Sequence, residues 1–372
     1  MFLVGDTHIG LGYPNSVDRW HRVHQQYFSE FLMPLLRREV REGDVIVHLG
    51  DLFDNRNVIP INLMVFGMTV VEEMAALAPL HIILGNHDCW HKSSSEINSI
   101  RPFRWIPGVT LHESPAAVEL SGRRLLMMPY VERRTEQLQI MDGHRGCDYL
   151  LCHSDLSGAR MHLTSVAHKN PDKIAVEEFR HFAKVYSGHI HIRDTHRNFK
   201  FVGNVFQMDR NDYGDEKGVL AVDLGTGGET FWRNDVSPRF ERVSVRSEAD
   251  LALLDAVDFR NYVDLSVSSS LLVGNRKLRR KLEVILETRQ FASVTYLDDM
   301  SSPGGPGDAG GPEPQAGPVL EGASEAAAPL LEFKSYIREY IEGLQFGPAV
   351  RAGMLAEYDE MVRIYEENYE SA

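Results

Sequence analysis

Eight polar residues in the first half of the chain are of the types that hold metal ions and move protons: Asp6, His8, Asp51, Asn86, His87, His153, His189 and His191. They lie in short strings: GDTH, GDLFD, GNHD, LLCHSD and SGHIH. Apolar runs of buried-strand character lead into them, such as VIVHLG before Asp51, HIILG before Asn86 and YLLC before His153. In an open α/β sheet, chemistry gathers where strands end, so these strings describe one site. Any one of the eight alone reads as an ordinary buried side chain, but eight at strand ends do not. Carboxylates, an amide and imidazoles together suit Mn²⁺, Fe²⁺ or Zn²⁺ better than Ca²⁺ or Mg²⁺, which prefer oxygen shells. Seven of the residues divide between two ions if Asp51 bridges, which leaves His87 for chemistry. Two ions can clamp a phosphoryl group and activate a water. No serine, cysteine or lysine nucleophile is then required, and Cys89, Cys147 and Cys152 read as core residues.

Local spacing supports the grouping. Asp6 and His8 are one residue apart at a strand end, where alternation would point both side chains the same way. His189 and His191 repeat that spacing after Gly188. Either Asp51 or Asp54 could ligate; Asp51 is favoured because it directly follows the strand and Gly50. Gly85, before Asn86, lets the backbone turn sharply beneath the ions.

The elements that must position these residues alternate. MFLVG and residues 44–49 read as strands. Residues 16–41 carry a helical stripe of Trp20, Val23, Tyr27, Phe31 and Leu35, and residues 59–76 carry one of Leu63, Phe66, Val70 and Met74. Strands dominate after residue 108: RLLMMPYV, YLLC, KVYSG, FVGNVFQM and GVLAVDL. The expected fold class is α/β: two sheets back to back, flanked by helices, over residues 1–243. Residues 244–297 read as a small αβ cap that leans on the first domain. Residues 298–329 are a Pro/Gly-rich flexible linker, and residues 330–372 hold two amphipathic helices whose apolar faces need a partner or the body of the same chain.

The formal charge of -14 is uneven. From Asp298 onward fifteen acidic residues face four basic ones, which leaves 38 acidic and 35 basic in the first 297. The body is nearly neutral, so charge neither favours nor excludes DNA. No stretch is apolar enough to span a membrane, and no secretory segment opens the chain. Three cysteines form no disulfide framework, so a reducing cytoplasm is expected.

The strings DTH at 6–8, GDLFD at 50–54, GNHD at 85–88, the histidine at 153 and SGHIH at 187–191 resemble those of the calcineurin-like metallophosphoesterases. Within them the chain looks like the nuclease subunits of the Mre11/SbcD type, especially the bacteriophage recombination-nuclease branch. That resemblance implies Asp6, His8 and His191 on a first metal, Asn86, His153 and His189 on a second, Asp51 between them, and Mn²⁺ as the metal. It implies that His87 meets the scissile phosphate and assists the leaving oxygen. Some relatives carry a histidine where this chain has Asp54. An aspartate there more plausibly orients a ligand histidine.

The resemblance also implies exonuclease action on duplex ends, endonuclease action on single strands, and an SMC-like coiled-coil ATPase of the Rad50/SbcC type as partner. The chain has no GxxxxGK[ST] loop, so that ATPase is a separate polypeptide. Candidate phosphate contacts are Lys92, Arg101, Arg104, Arg193 and Arg197, with Arg276, Lys277, Arg279, Arg280 and Lys281 on a cap helix. Leu331, Ile337, Ile341, Leu355, Met361 and Val362 are candidate anchors for the partner. A homodimer through the helices near 16–41 and 59–76 is implied, with Trp20, Tyr27, Leu63 and Phe66 as interface candidates. A stand-alone phosphodiesterase or phosphatase on another substrate, or a mainly structural DNA-bridging subunit, remain alternatives.

Overall fold

On the first strand the side chains alternate: Leu3 joins one apolar cluster, and Phe2 and Val4 join another. The same alternation on the other strands builds a layered core, shown by a computed structural model. It describes residues 1–297 except 13–15, 92, 257, 259, 273–274 and 289–292, and beyond them only 338, 355, 356, 358, 359 and 363.

The first sheet comprises β1 (Phe2–Val4), β2 (Ile46–His48), β3 (Leu80–Ile83), β6 (Val109–His112), β13 (Gly218–Val222) and β14 (Glu229–Arg233), in the order β14-β13-β1-β2-β3-β6. Strands β1, β2, β3 and β6 run parallel. The second comprises β7 (Ala116–Leu120), β8 (Arg123–Met128), β9 (Tyr149–His153), β10 (Lys184–Gly188), β11 (Asp194–His196) and β12 (Phe199–Phe201), in the order β11-β12-β10-β9-β8-β7. Between the sheets Leu3, Val47 and Ile83 meet Met127, Leu151 and Tyr186. Each fully buried side chain of this kind contributes about 1.5–3 kcal/mol. A short hairpin of β4 (Cys89–His91) and β5 (Ser94–Asn98) follows β3.

Helices α1 (Val17–Gln26), α2 (Met33–Glu39) and α3 (Ile61–Leu77) cover the first sheet; α4 (Arg134–Gly143) and a long loop through Leu156, Ile174 and Phe179 cover the second. The stripe expected over 16–41 is interrupted by a π-helical stretch at Tyr27–Leu32. Pro34 follows it; its ring clashes with the carbonyl four residues earlier, and a wider turn relieves that. Trp20, Tyr27 and Leu63 are buried in the chain's own core, which corrects their reading as interface residues. The large apolar residues exposed on α3 are Ile61 and Val65.

FVGNVFQM is not a strand beyond Phe201. Gly203 takes a φ of 80°, and Asn204 N–H donates to the His191 carbonyl, so this segment runs beneath a site loop instead. The third sheet, β15 (Phe240–Val245), β16 (Tyr262–Ser268) and β17 (Ser293–Leu297), is wholly parallel, with α5 (Leu251–Asp255), α6 (Ser269–Leu272) and α7 (Arg276–Thr288) between its strands. Because β15 pairs with β16, it belongs to this unit and straddles the expected boundary at 243. Phe240 and Tyr262 share the core of the first sheet with Trp20. On α7, Leu278, Leu282 and Ile285 are buried, whereas Arg276, Lys277, Arg279 and Arg280 face solvent.

Residues Met1–Ser302 form one compact unit and Pro303–Ala372 another. In the second, Leu355 is helical and half-buried, and Arg338 pairs with Asp359. Leu331, Ile337, Ile341, Met361 and Val362 lie outside the described residues, as does Lys92. Among the described residues no helix is long and apolar enough to cross a membrane.

Candidate metal centre

Strands β1, β2 and β3 of one sheet and β9 and β10 of the other deliver their C-terminal ends to one place. The loops there are bonded to each other: Thr7 and His8 N–H donate to the Asp51 carbonyl at 3.2 and 3.0 Å. His153 Nδ1 donates to the Leu49 carbonyl at 2.8 Å, and His189 N–H to Asp6 Oδ1 at 2.9 Å, so each sheet holds the other's loop. Close approach requires glycine. A Cβ on Gly85 would sit 2.2 Å from Asp51 N, and one on Gly50, whose φ is 100°, 2.6 Å from His153 Nδ1.

Simple strand alternation does not place Asp6 and His8 together. β1 ends at Val4, and His8 has a φ of 47°; Asp51 and His189 are also left-handed, at 52° and 79°. Such backbone costs about 1–3 kcal/mol per residue and survives where surrounding bonds over-determine it.

The side chains converge in overlapping groups. Ligand atoms of Asp6, His8 and His191 lie within 4.8 Å of one another, as do those of Asp51, His153 and His189, and those of His8, Asp54 and His87. Asp51 Oδ2 stands between the first two groups, 3.2 Å from His153 Nε2 and 3.8 Å from His8 Nε2. Asn86 Oδ1 is 2.9 Å from His153 Nε2 and 2.8 Å from His189 Nδ1. Asp54 Oδ1 is 3.1 Å from His8 Nδ1. His87 Nδ1 donates to the Asp54 carbonyl at 2.5 Å, while its backbone N–H donates to Asp51 Oδ1 at 2.7 Å.

This donor set fits divalent cations. Asp6 Oδ2 is buried with no hydrogen-bond partner among the described residues. His8 Nε2 and His191 Nε2 face each other at 3.1 Å, and His153 Nε2 and His189 Nδ1 at 3.2 Å. The far nitrogens are already engaged: His153 Nδ1 on Leu49, and His189 Nε2 on Asp155 Oδ1 at 2.9 Å. Carbonyl and carboxylate partners of this kind orient metal-ligating imidazoles.

Electrostatics follow from burial and charge. Burial opposes protonation of His8 and His153, yet the carboxylates around them hold both up to about 9. Burial likewise opposes ionisation of Asp51, but His153 and then His8 keep it well below the ordinary carboxylate range. Burial, then the neighbouring His8, pushes His191 down to about 4. The thiols of Cys89 and Cys152 are pushed up to about 12 by burial, so neither offers a thiolate nucleophile.

Residues 2–193 match the calcineurin-like phosphoesterase family. The chain belongs to that family. This phosphoesterase is also 23% identical, over 269 residues covering 71% of it and 74% of the relative, to exonuclease subunit 1 of Enterobacteria phage T4. A solved protein of unknown function from Aquifex aeolicus, 16% identical, covers 48% of this chain and 91% of its own, with a TM-score of 0.27, too low to carry an argument. Family membership implies divalent metals, and the His/Asp groups could bind them.

Two residues escaped sequence reasoning. Asp155 stands in the string LLCHSD and orients His189. Asp88 stands in GNHD and accepts from Leu52, Phe53 and Gly85 N–H at 3.0–3.2 Å, tying two site loops together. Among the described basic candidates, several are taken up in ion pairs with carboxylates. Arg101 and Arg104 both bind Glu113; Arg193 pairs with Glu216, Arg197 with Glu177, Arg280 with Glu283 and Lys281 with Asp255.

Proposed function

We propose that this phosphoesterase is a two-metal DNA nuclease, with Mn²⁺ as its metal. The carrying observation is Asp51 Oδ2 between His8 and His153, the heads of two separate ligand groups. Asp6, His8, His191 and Asp51 would hold one ion; Asn86, His153, His189 and Asp51 the other. When bound, such a pair supplies Lewis acidity to the phosphoryl oxygens and a water nucleophile at neutral pH. The chain's own residues do the rest. His153 and His189 are held in one tautomer each by Leu49 and Asp155. Asp54 orients His8 from its outer side. His87, held at Nδ1 by the Asp54 carbonyl, keeps Nε2 for the phosphate and the leaving oxygen.

DNA as the substrate is supported by the likeness to a phage exonuclease subunit. Exonuclease action on duplex ends and endonuclease action on single strands, within a complex with an SMC-like ATPase of the Rad50/SbcC type, complete the reading. The tail over 330–372 would dock on that partner. Exposed Ile61 and Val65 on α3 suit pairing with a second copy. Three free, buried cysteines suit a reducing cytoplasm.

Elemental analysis after Mn²⁺ reconstitution tests the centre, and two ions per chain are expected. His87→Ser should keep both ions and lose roughly 10²–10⁴ in rate on linear duplex and single-stranded DNA. Cleavage of a small phosphodiester with none of DNA, even with the ATPase present, would favour a phosphodiesterase of another substrate class.

A further inference from the structure

The β4–β5 hairpin that follows GNHD has a fixed root. Asp88 holds three backbone N–H groups with its carboxylate, and its carbonyl accepts Ser99 N–H at 2.8 Å. Two residues on, Trp90 is 47% exposed. Its indole stacks on the His91 ring, centroids 4.8 Å apart and planes 21° from parallel. Beside it stands Arg56, half-buried. Unlike Arg101, Arg104, Arg193 and Arg197, it makes no ion pair or hydrogen bond among the described residues. Its positive charge is felt by both the Cys89 thiol and the Tyr130 phenol, and Tyr130 lies against His189 at 5.9 Å between ring centroids. Arg56, Asn57, Asp88, Trp90 and Ile97 line a cavity of about 240 Å³. Two of these lining residues lie close in the chain to the metal centre: Asp88 follows His87, and Arg56 is two residues after Asp54.

We propose that the cavity is a nucleotide subsite, in which Trp90 stacks on one unpaired base and Arg56 holds the phosphate next to the scissile one. The inference rests on the nuclease reading above. An unpaired arginine can take a phosphate without releasing a carboxylate. An indole already stacked on a neighbouring ring loses less freedom when a base stacks on it. Stacking accepts every base, so the subsite would impose no sequence preference. A base that stacks on Trp90 is out of its duplex, so the strand must be single or locally frayed there.

The test uses the full chain with Mn²⁺ and single-stranded oligonucleotides, intact or carrying one abasic spacer scanned along the strand. Trp90→Ala should raise KM roughly 5- to 160-fold, the range of one lost base stack, and Trp90→Phe should recover most of it. Arg56→Gln should raise KM and reduce the salt slope of binding by about 1. An abasic spacer beside the cleaved bond should slow the wild-type protein and leave Trp90→Ala unaffected. Both ions should stay bound throughout. Wild-type KM in Trp90→Ala and Arg56→Gln, with no abasic effect, would overturn the subsite alone. A wild-type protein that holds two ions, cleaves a small phosphodiester and ignores DNA would overturn the nuclease reading and the subsite with it.

Discussion

Gly85→Ala is the sharpest probe of how the centre is assembled. The added carbon would lie 2.2 Å from both the backbone nitrogen and Oδ1 of Asp51. Non-bonded carbon atoms rest about 3.5–4.0 Å apart, so one side must retreat by roughly 1 Å. Asp51 cannot retreat freely. Its carbonyl holds Thr7 and His8 N–H, its Oδ1 holds His87 N–H, and its φ of 52° is already strained. Overpacking of this kind costs about 1–3 kcal/mol of stability. A 1 Å displacement at a reacting centre costs about 10²-fold in rate. Elemental analysis after Mn²⁺ reconstitution should find fewer than two ions per chain, with a lowered urea midpoint and phosphodiester hydrolysis down about 10²-fold. Gly143→Ala, where a Cβ meets nothing within 4 Å, is the matched control and should stay near wild type. Full metal content and full turnover in Gly85→Ala would refute the claim that Asp51 is held by close packing of two loops.

Asp155→Asn should leave the fold intact and loosen His189, weakening metal affinity by about 10- to 100-fold; titration calorimetry measures this, and unchanged affinity would remove Asp155 from the site. In the metal-free protein His8 and His153 stand at about 9, raised from 6.5. Their contribution to stability is therefore whole below pH 6.5 and lost as pH rises through about 9, so the Tm of the metal-free form should carry a falling component across that window. Metal binding must displace those protons; apparent affinity should rise over the same window, and calorimetry in buffers of different ionisation enthalpy should register proton release near pH 7. Loading with no proton release would exclude His8 and His153 as ligands. Deletion after Pro303 should keep both ions and basal hydrolysis but abolish co-purification with an SMC-like ATPase; retained co-purification would show that the tail is not the dock.

The residues proposed for the centre could be picked out without a structure because a local signal leads into them: a short apolar run, mostly closed by a glycine, then a string holding Asp, Asn or His. The helix over Ile61–Leu77 was legible too, because its apolar stripe is local. The π-helical stretch at Tyr27–Leu32 was not anticipated, although Pro34 stands in plain view beyond it. What periodicity could not supply were relations between distant segments. Trp20 and Tyr27 form a stripe that suits a core or an interface equally, and only packing against Phe206 and Tyr262 decides for the core. Which nitrogen of His153 is free depends on Leu49, 104 residues away, and which nitrogen of His189 is free depends on Asp155 in a neighbouring loop. The left-handed backbone of His8, Asp51 and His189 arises because loops from two sheets hold one another. Arg56 and Trp90, 34 positions apart, share a cavity only once β3 and its hairpin are placed. Chain order determined which groups were available, because residue type and local hydrophobicity are local properties. Tertiary structure decided their orientation and free valences, because hydrogen bonding and burial depend on what the rest of the chain brings alongside.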